Sequence, residues 1–298
     1  MFTLRLEGIT TSDGKRILSP IAFSLEEGKS LSLVGESGSG KTTLAYAILG
    51  LLDPQLKVSG LEINLGKENI SSLKEKEKRD RRGKNWVYLP QNGIAFLNPA
   101  TSIRVQLGEA LKKWGVKKGD FEAVEASLLR KVGFKDPYPI LDKYPYELSG
   151  GMAERVVFAL SLSPLAELVI ADEPTNGLDP KNIDIFTELF SKHFSSSTRL
   201  IITHDIDYAS LSDYILVLNK GVVMEYGPSK QVLENPKSPY TKALIEATPR
   251  HGLKGYVQIR DASPSCPFYG FCPLAKEECL KEELDKRQDK RYWRCIQR

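Results

Sequence analysis

The residues GESGSGKTT at positions 35–43 fit the pattern G-x-x-x-x-G-K-[ST]. Glycines at that spacing let main-chain N–H groups converge on phosphate oxygens, and a helix starting at the lysine adds the positive end of its dipole. Gly35, Ser37, Gly38 and Gly40 then form the cradle, Lys41 holds the β- and γ-phosphates, Thr42 places its hydroxyl on Mg²⁺ and Thr43 completes the phosphate contacts. A second group of reactive residues closes ELVIADEP at 167–174. Neighbours on a strand point to opposite sides, so Asp172 and Glu173 divide the work if the strand persists to its end. Asp172 would support Mg²⁺, through water or Thr42. Glu173 would face the γ-phosphate and polarise the attacking water as general base. LIITHD at 200–205 carries His204 to a strand tip, where it could bond the γ-phosphate, orient the water or serve structure alone. Gln91 ends WVYLPQ and could contact Mg²⁺ and the water.

These groups need elements to carry them. Two β-like segments open the chain, around 2–9 and 17–25, and SLSLVG at 30–35 reads as a buried strand. Leu44, Ala47, Ile48 and Leu51 share one face of a helix expected over 41–51, which Pro54 would end. KEKEKRDRRGK at 74–84 is expected as a solvated surface helix or loop. Residues 108–165 follow a mostly helical pattern, and β signals return in LAELVIAD, RLIITHD and DYILVLNKGVVMEYG. Strands alternating with helices predict an α/β fold with a largely parallel sheet, split by a helical insertion. A loop-rich tail over 250–298 holds all four cysteines and reads as a small appendage.

Composition narrows the class. Hydrophobic residues make up 41% and charged residues 27% of the 298, an ordinary globular mixture. A net charge of +4 from 42 basic and 38 acidic side chains points to no nucleic-acid partner. No apolar run reaches the roughly 18 residues that cross a bilayer, and the best, 156–171, is broken by Pro164 and Glu167. The N-terminal residues lack the apolar core of a leader, so any membrane role is expected to come through a partner.

Taken in order, these motifs resemble the nucleotide-binding subunits of ABC transporters. LSGGMAER at 148–155 is similar to that family's signature, usually LSGGQ. The resemblance implies that Ser149, Gly150 and Gly151 bind the γ-phosphate of ATP held by a second subunit, from the start of a helix. TNGLD at 175–179, ending in Asp179, is similar to the D-loop that couples the two sites. The implied fold is a P-loop NTPase core with a mixed β-sheet over 1–91 and 165–250. A helical signature subdomain occupies 92–164, and a cysteine-containing extension covers 251–298.

FLNPATSI at 96–103, Met152 in the signature, NPKSPYTKALIEATP at 235–249 and CPFYGFCPLAKEEC at 266–279 extend the resemblance to importers of oligopeptides, dipeptides and metal chelates. That group implies ATP and Mg²⁺ as cofactors. The partners it implies are a second ATPase subunit, usually a paralogue, two transmembrane permeases and, indirectly, a solute-binding protein, with this chain peripheral at the cytoplasmic face of the inner membrane. One departure stands out: the adenine-stacking aromatic expected near Ser12 or Asp13 is missing, leaving Arg16 or Ile17 to cover the base. An ABC-type ATPase acting outside transport is the second reading. A single phosphate loop without basic extensions argues against it.

Cys266, Cys272, Cys279 and Cys295 are spaced C-x5-C-x6-C-x15-C. Four such thiolates could enclose a [4Fe–4S] cluster, as in some similar importers, or a zinc ion, or stay unmetallated. The zinc knuckle C-x2–4-C is absent, and the wide spacing leaves room for a cluster. Trp293 and Tyr292 could shield it, and an iron- or redox-responsive tail is a third reading.

Overall fold

The computed structural model describes residues 1–177, 180–261, 263, 265–281 and 284–296. The chain divides into two compact units, Met1–Leu73 with Leu200–Arg298, and Lys74–Arg199.

In the first unit, Phe2–Leu6 buries Phe2, Leu4 and Leu6 and turns Arg5 outward. Period-two alternation of this kind gives a sheet with one face on the core. Ile21–Leu25 and Glu62–Leu65 flank it antiparallel, with Leu4 opposite both Phe23 and Ile63. The β segments expected over 2–9 and 17–25 are each cut in two. The second break falls at Pro20, between Arg16–Leu18 and Ile21–Leu25, where proline has no N–H for the ladder.

Ser30–Val34 is buried at every position and runs parallel to Tyr214–Asn219, Leu33 opposite Leu216. Continuous apolar strands suit a sheet covered on both faces. Tyr214–Asn219 turns through Lys220 and Gly221, with φ of 44° and 79°, into antiparallel Val222–Pro228. Arg291–Arg294 pairs with Val222–Pro228, and Asp285–Gln288 pairs in turn with Arg291–Arg294. The cysteine tail is therefore tied into this unit's sheet rather than hanging from it.

The phosphate-loop helix spans Lys41–Leu49 and stops at Gly50, whose φ of 64° caps it in the left-handed region. Gly50 thus ends the helix before Pro54 is reached.

The second unit pairs Trp86–Leu89 parallel with Leu168–Asp172, Val87 opposite Val169. Its main helices are Ile103–Trp114, Phe121–Lys131, Gly150–Ser161 and Pro180–His193. Ile103, Leu107, Leu111 and Trp114 form the buried stripe of the first, at helical spacing. Phe158, Phe186, Phe190 and Phe194 follow one another at ring separations of 4.7, 5.5 and 5.2 Å. The charge run forms Glu75–Arg81, a helix with no buried residue, which fits the solvated expectation. The unit is wider than the helical segment 92–164 because the two paired strands lie within it. Among the described residues no helix is long and apolar enough to cross a membrane.

Candidate functional site

The phosphate loop is built where the buried strand Ser30–Val34 ends. A Cβ at Gly35 would lie 2.1 Å from the Leu218 carbonyl oxygen, so only glycine lets the loop leave the sheet here. The hairpin tip braces the loop, the Gly221 N–H donating to Ser39 O at 3.0 Å. Gly40 caps the helix Lys41–Leu49 with φ 98°, a conformation that favours glycine, and provides no side-chain cap. A helix start without a side-chain cap is the kind that suits an anion. Lys41 is 7% exposed, and its Nζ donates to Gly35 O at 2.7 Å and Glu36 O at 2.9 Å. A buried ammonium folded over an uncapped helix end fits a phosphate group. Ser37, Gly38 and Thr42 are exposed on the loop, and Thr43 is half-buried.

In the same unit His204 is exposed at the end of Thr198–Thr203. The next residue, Asp205, caps Ile206–Ala209 by accepting from Asp207 N and Tyr208 N at 2.8 and 3.1 Å. The turn at Thr11–Lys15 closes on itself through Thr11 N to Lys15 O at 2.9 Å, and Arg16 beyond it is exposed.

In the second unit Asp172 is 3% exposed and accepts from the Tyr88 hydroxyl at 3.2 Å. The strand ends at Asp172, and Glu173 has φ 49°. Strand alternation therefore does not separate the two carboxylates; a left-handed residue does. A non-glycine residue held there stores about 1–3 kcal/mol of strain, of a kind that fixes a functional side chain. Gln91, Glu173, Ser149 and Gly151 line one cavity of about 290 Å³. Ser149 caps Gly150–Ser161, its hydroxyl oxygen accepting from Met152 N at 3.3 Å. One N–H group of this helix start is therefore taken, while the hydroxyl can still donate. Gly150 and Gly151 open onto free space. Asp179 lies outside the described residues.

Two neighbours escaped the sequence reading. Tyr88 reaches Asp172 from the adjacent strand, a pairing visible only in the register. Glu154 lines the same cavity as Glu173, and burial pushes its carboxyl above the usual range. Its place one helical turn after Gly150 was the available signal.

None of the four cysteines is in a disulfide, and all four line one void of about 20 Å³. Burial, the largest cause, pushes the Cys266 and Cys272 thiols up. The donor set suits a soft metal, but among the described residues no three His, Cys, Asp or Glu side chains stand at metal-ligating spacing. The void has room for about one water, not for a four-iron cube. The rings beside it are Tyr240, Phe268 and Tyr269; Trp293 and Tyr292 do not line it.

The strand, loop and helix around Lys41 define a P-loop nucleotide-hydrolysing protein. Residues 18–176 match the family described as ABC transporter, and residues 224–279 match the oligopeptide/dipeptide transporter C-terminal region. The dipeptide transport ATP-binding protein DppD of Haemophilus influenzae is 34% identical over 279 residues, 88% of this chain and 84% of that one. The oligopeptide transport ATP-binding protein OppD of Salmonella typhimurium is 34% identical over 289 residues, covering 93% and 86%. The metal-staphylopine import system ATP-binding protein CntD of Staphylococcus aureus is 33% identical over 254 residues, covering 82% and 93%. In fold the chain is similar to the bacterial cassette MJ0796, at TM-score 0.67 and 23% identity over 77% of this chain and 99% of that one. The chain belongs to the ABC transporter family, among the ATP-binding subunits of oligopeptide and dipeptide type. It is an ATPase.

Proposed function

We propose that this chain powers the import of oligopeptides, dipeptides or related small solutes such as metal chelates through membrane permeases. The observation that carries the ATPase half is Lys41, buried and folded over a helix end without a side-chain cap. The import half is supported by the C-terminal region at 224–279 and by relatives named for dipeptide, oligopeptide and metal–staphylopine transport.

The loop residues Gly35, Ser37, Gly38, Gly40, Lys41, Thr42 and Thr43 hold the triphosphate. Thr42, Gln91 and Asp172 are assigned to Mg²⁺, which neutralises charge on the β- and γ-phosphates when bound. Glu173 polarises the attacking water, and His204 orients it. A protein similar in fold is dimeric with ADP and Pi bound, which supports a pair, here read as head to tail. In that pair Ser149, Gly150 and Gly151 serve the mate's nucleotide, and Asp179 couples the two sites. The mate is a paralogue, two permease subunits complete the complex, and the chain sits peripherally on the cytoplasmic face of the membrane. Co-purification with permeases tests transport against a soluble role.

Glu173→Gln in the assembled transporter is expected to retain ATP binding while turnover falls by about a hundredfold or more. Hydrolysis at the wild-type rate would remove Glu173 as general base. For the tail, the reading is a [4Fe–4S] cluster before zinc, supported by the cysteine spacing C-x5-C-x6-C-x15-C and requiring the thiols to move apart from their present arrangement. Anaerobic purification from an iron-replete host should give brown, iron-containing protein. Colourless, iron-free protein would end that reading.

A further inference from the structure

Glu36 is the one carboxylate in the phosphate loop. Its main-chain oxygen accepts from Lys41 Nζ, on the side where phosphate is expected. Its side chain is engaged elsewhere: the Tyr256 hydroxyl donates to Glu36 Oε1 across 220 residues of sequence.

Tyr256 is held in place by its ring. Phe268 and Phe271 meet it edge-on, at centroid separations of 5.3 and 5.6 Å and interplanar angles of 83° and 78°. Tyr240 packs against both Tyr256 and Phe268, at 6.5 and 5.3 Å. The Tyr240 hydroxyl, fully buried with no partner at hydrogen-bond geometry, lies near enough to Glu36 for the carboxylate to add to burial in raising its titration. Burial first, then the bond to Glu36, also lifts the Tyr256 phenol above its ordinary range, so it stays a donor. This cluster is continuous with Val34, the residue before the loop.

A carboxylate on a loop that binds a triphosphate repels its ligand when free to swing toward it. A neutral donor aimed at that carboxylate from a fixed ring removes this freedom and orders the loop before nucleotide arrives. We propose that Tyr256 is a positioning residue of the nucleotide site, holding Glu36 so that the phosphate loop is fixed and its one negative side chain does not compete with the triphosphate. This rests on residues 35–43 being the loop that holds ATP.

The test is steady-state ATPase kinetics of the assembled transporter. Tyr256→Phe keeps the ring and deletes only the hydroxyl. It is expected to raise KM for ATP about fivefold, on the scale of one net intramolecular hydrogen bond, with kcat changed less than about twofold. The apo thermal midpoint should fall by no more than about 2–4 °C, the share of one lost hydrogen bond. In a Glu36→Ala background the same change should shift KM no further. An unchanged KM, or a shift that persists undiminished without Glu36, overturns the proposal. So does a fall in kcat accompanied by a larger drop in the thermal midpoint, the mark of a packing role. Lys41→Ala separates the two assignments. If it weakens ATP binding while Tyr256→Phe is silent, only the tyrosine's role fails; if neither it nor Gly40→Val, which fills the loop, changes ATP binding, the loop assignment fails.

Discussion

Two helix starts in this chain are built by different means. Lys41–Leu49 begins at Gly40, with no side-chain cap and a buried lysine bent over the loop. Gly150–Ser161 begins at Ser149, whose hydroxyl oxygen already caps Met152 N, and its glycines open onto empty space. On the proposed reading the first brings its own cation and binds phosphate unaided. The second offers a hydroxyl proton and bare main chain, a surface that becomes a site only when a ligand is brought to it. The difference is what a shared pocket requires: one half that binds and one half that completes.

Removing the cation should therefore have the largest effect. Lys41→Ala is expected to cut ATPase activity of the assembled transporter on the order of a thousandfold, the scale of cationic groups on a transferring phosphate. Nucleotide binding by the isolated chain should fall with it, as equilibrium dialysis would show. Retained binding would mean that the uncapped helix end suffices and that the two starts differ less than their chemistry implies.

Ser149→Ala should act differently. The isolated chain is expected to bind ATP as before, because Lys41 is untouched. Hydrolysis by the assembled pair should fall on the order of a hundredfold, as when one donor to a reacting oxyanion is deleted. Loss of the cap costs the helix about 1 kcal/mol, a separate effect that thermal unfolding would register. Weakened ATP binding in the isolated chain would break the division between the binding half and the completing half.

How much of this could be read from sequence follows from how local each feature is. The phosphate loop was legible because its chemistry sits in nine consecutive residues between a strand and a helix. The signature was legible for the same reason, but not the use of the Ser149 hydroxyl as a cap. Asp172 and Glu173 stand out in sequence, but separating them by alternation required the strand to persist, and nothing in ADEP announces that it stops at Asp172 and that Glu173 adopts φ 49°. Cysteine spacing foretold that four thiols belong together, and they do share a void. Spacing carries no information on volume, so the room expected for a cluster was not there. The contact of Tyr256 with Glu36 spans the chain and leaves no local trace.

The smallest effect distinguishes the two units by pH. His193 closes the helix Pro180–His193 in the signature-bearing unit, whereas His204 in the other is exposed. Burial holds the His193 imidazole below its ordinary titration range, with Lys131 adding to it and the Ser163 and Leu162 main chains opposing. The Phe194 ring meets it edge-on at 4.7 Å. Because the folded pKa is depressed, unfolded His193 takes up a proton near its usual value of about 6.5 while the folded ring resists. Below that pH the unfolded chain binds more protons, so this contribution is present above about 6.5 and is lost as pH falls toward the lower folded value. Acidification from about pH 7 to 5.5 should lower the unfolding midpoint by a few degrees at most. Amide exchange should quicken in Gly150–Ser161 and Pro180–His193 before it does in Lys41–Leu49. His193→Gln should flatten that part of the pH profile. A profile unchanged by the substitution would show that the acid sensitivity lies in groups other than this ring.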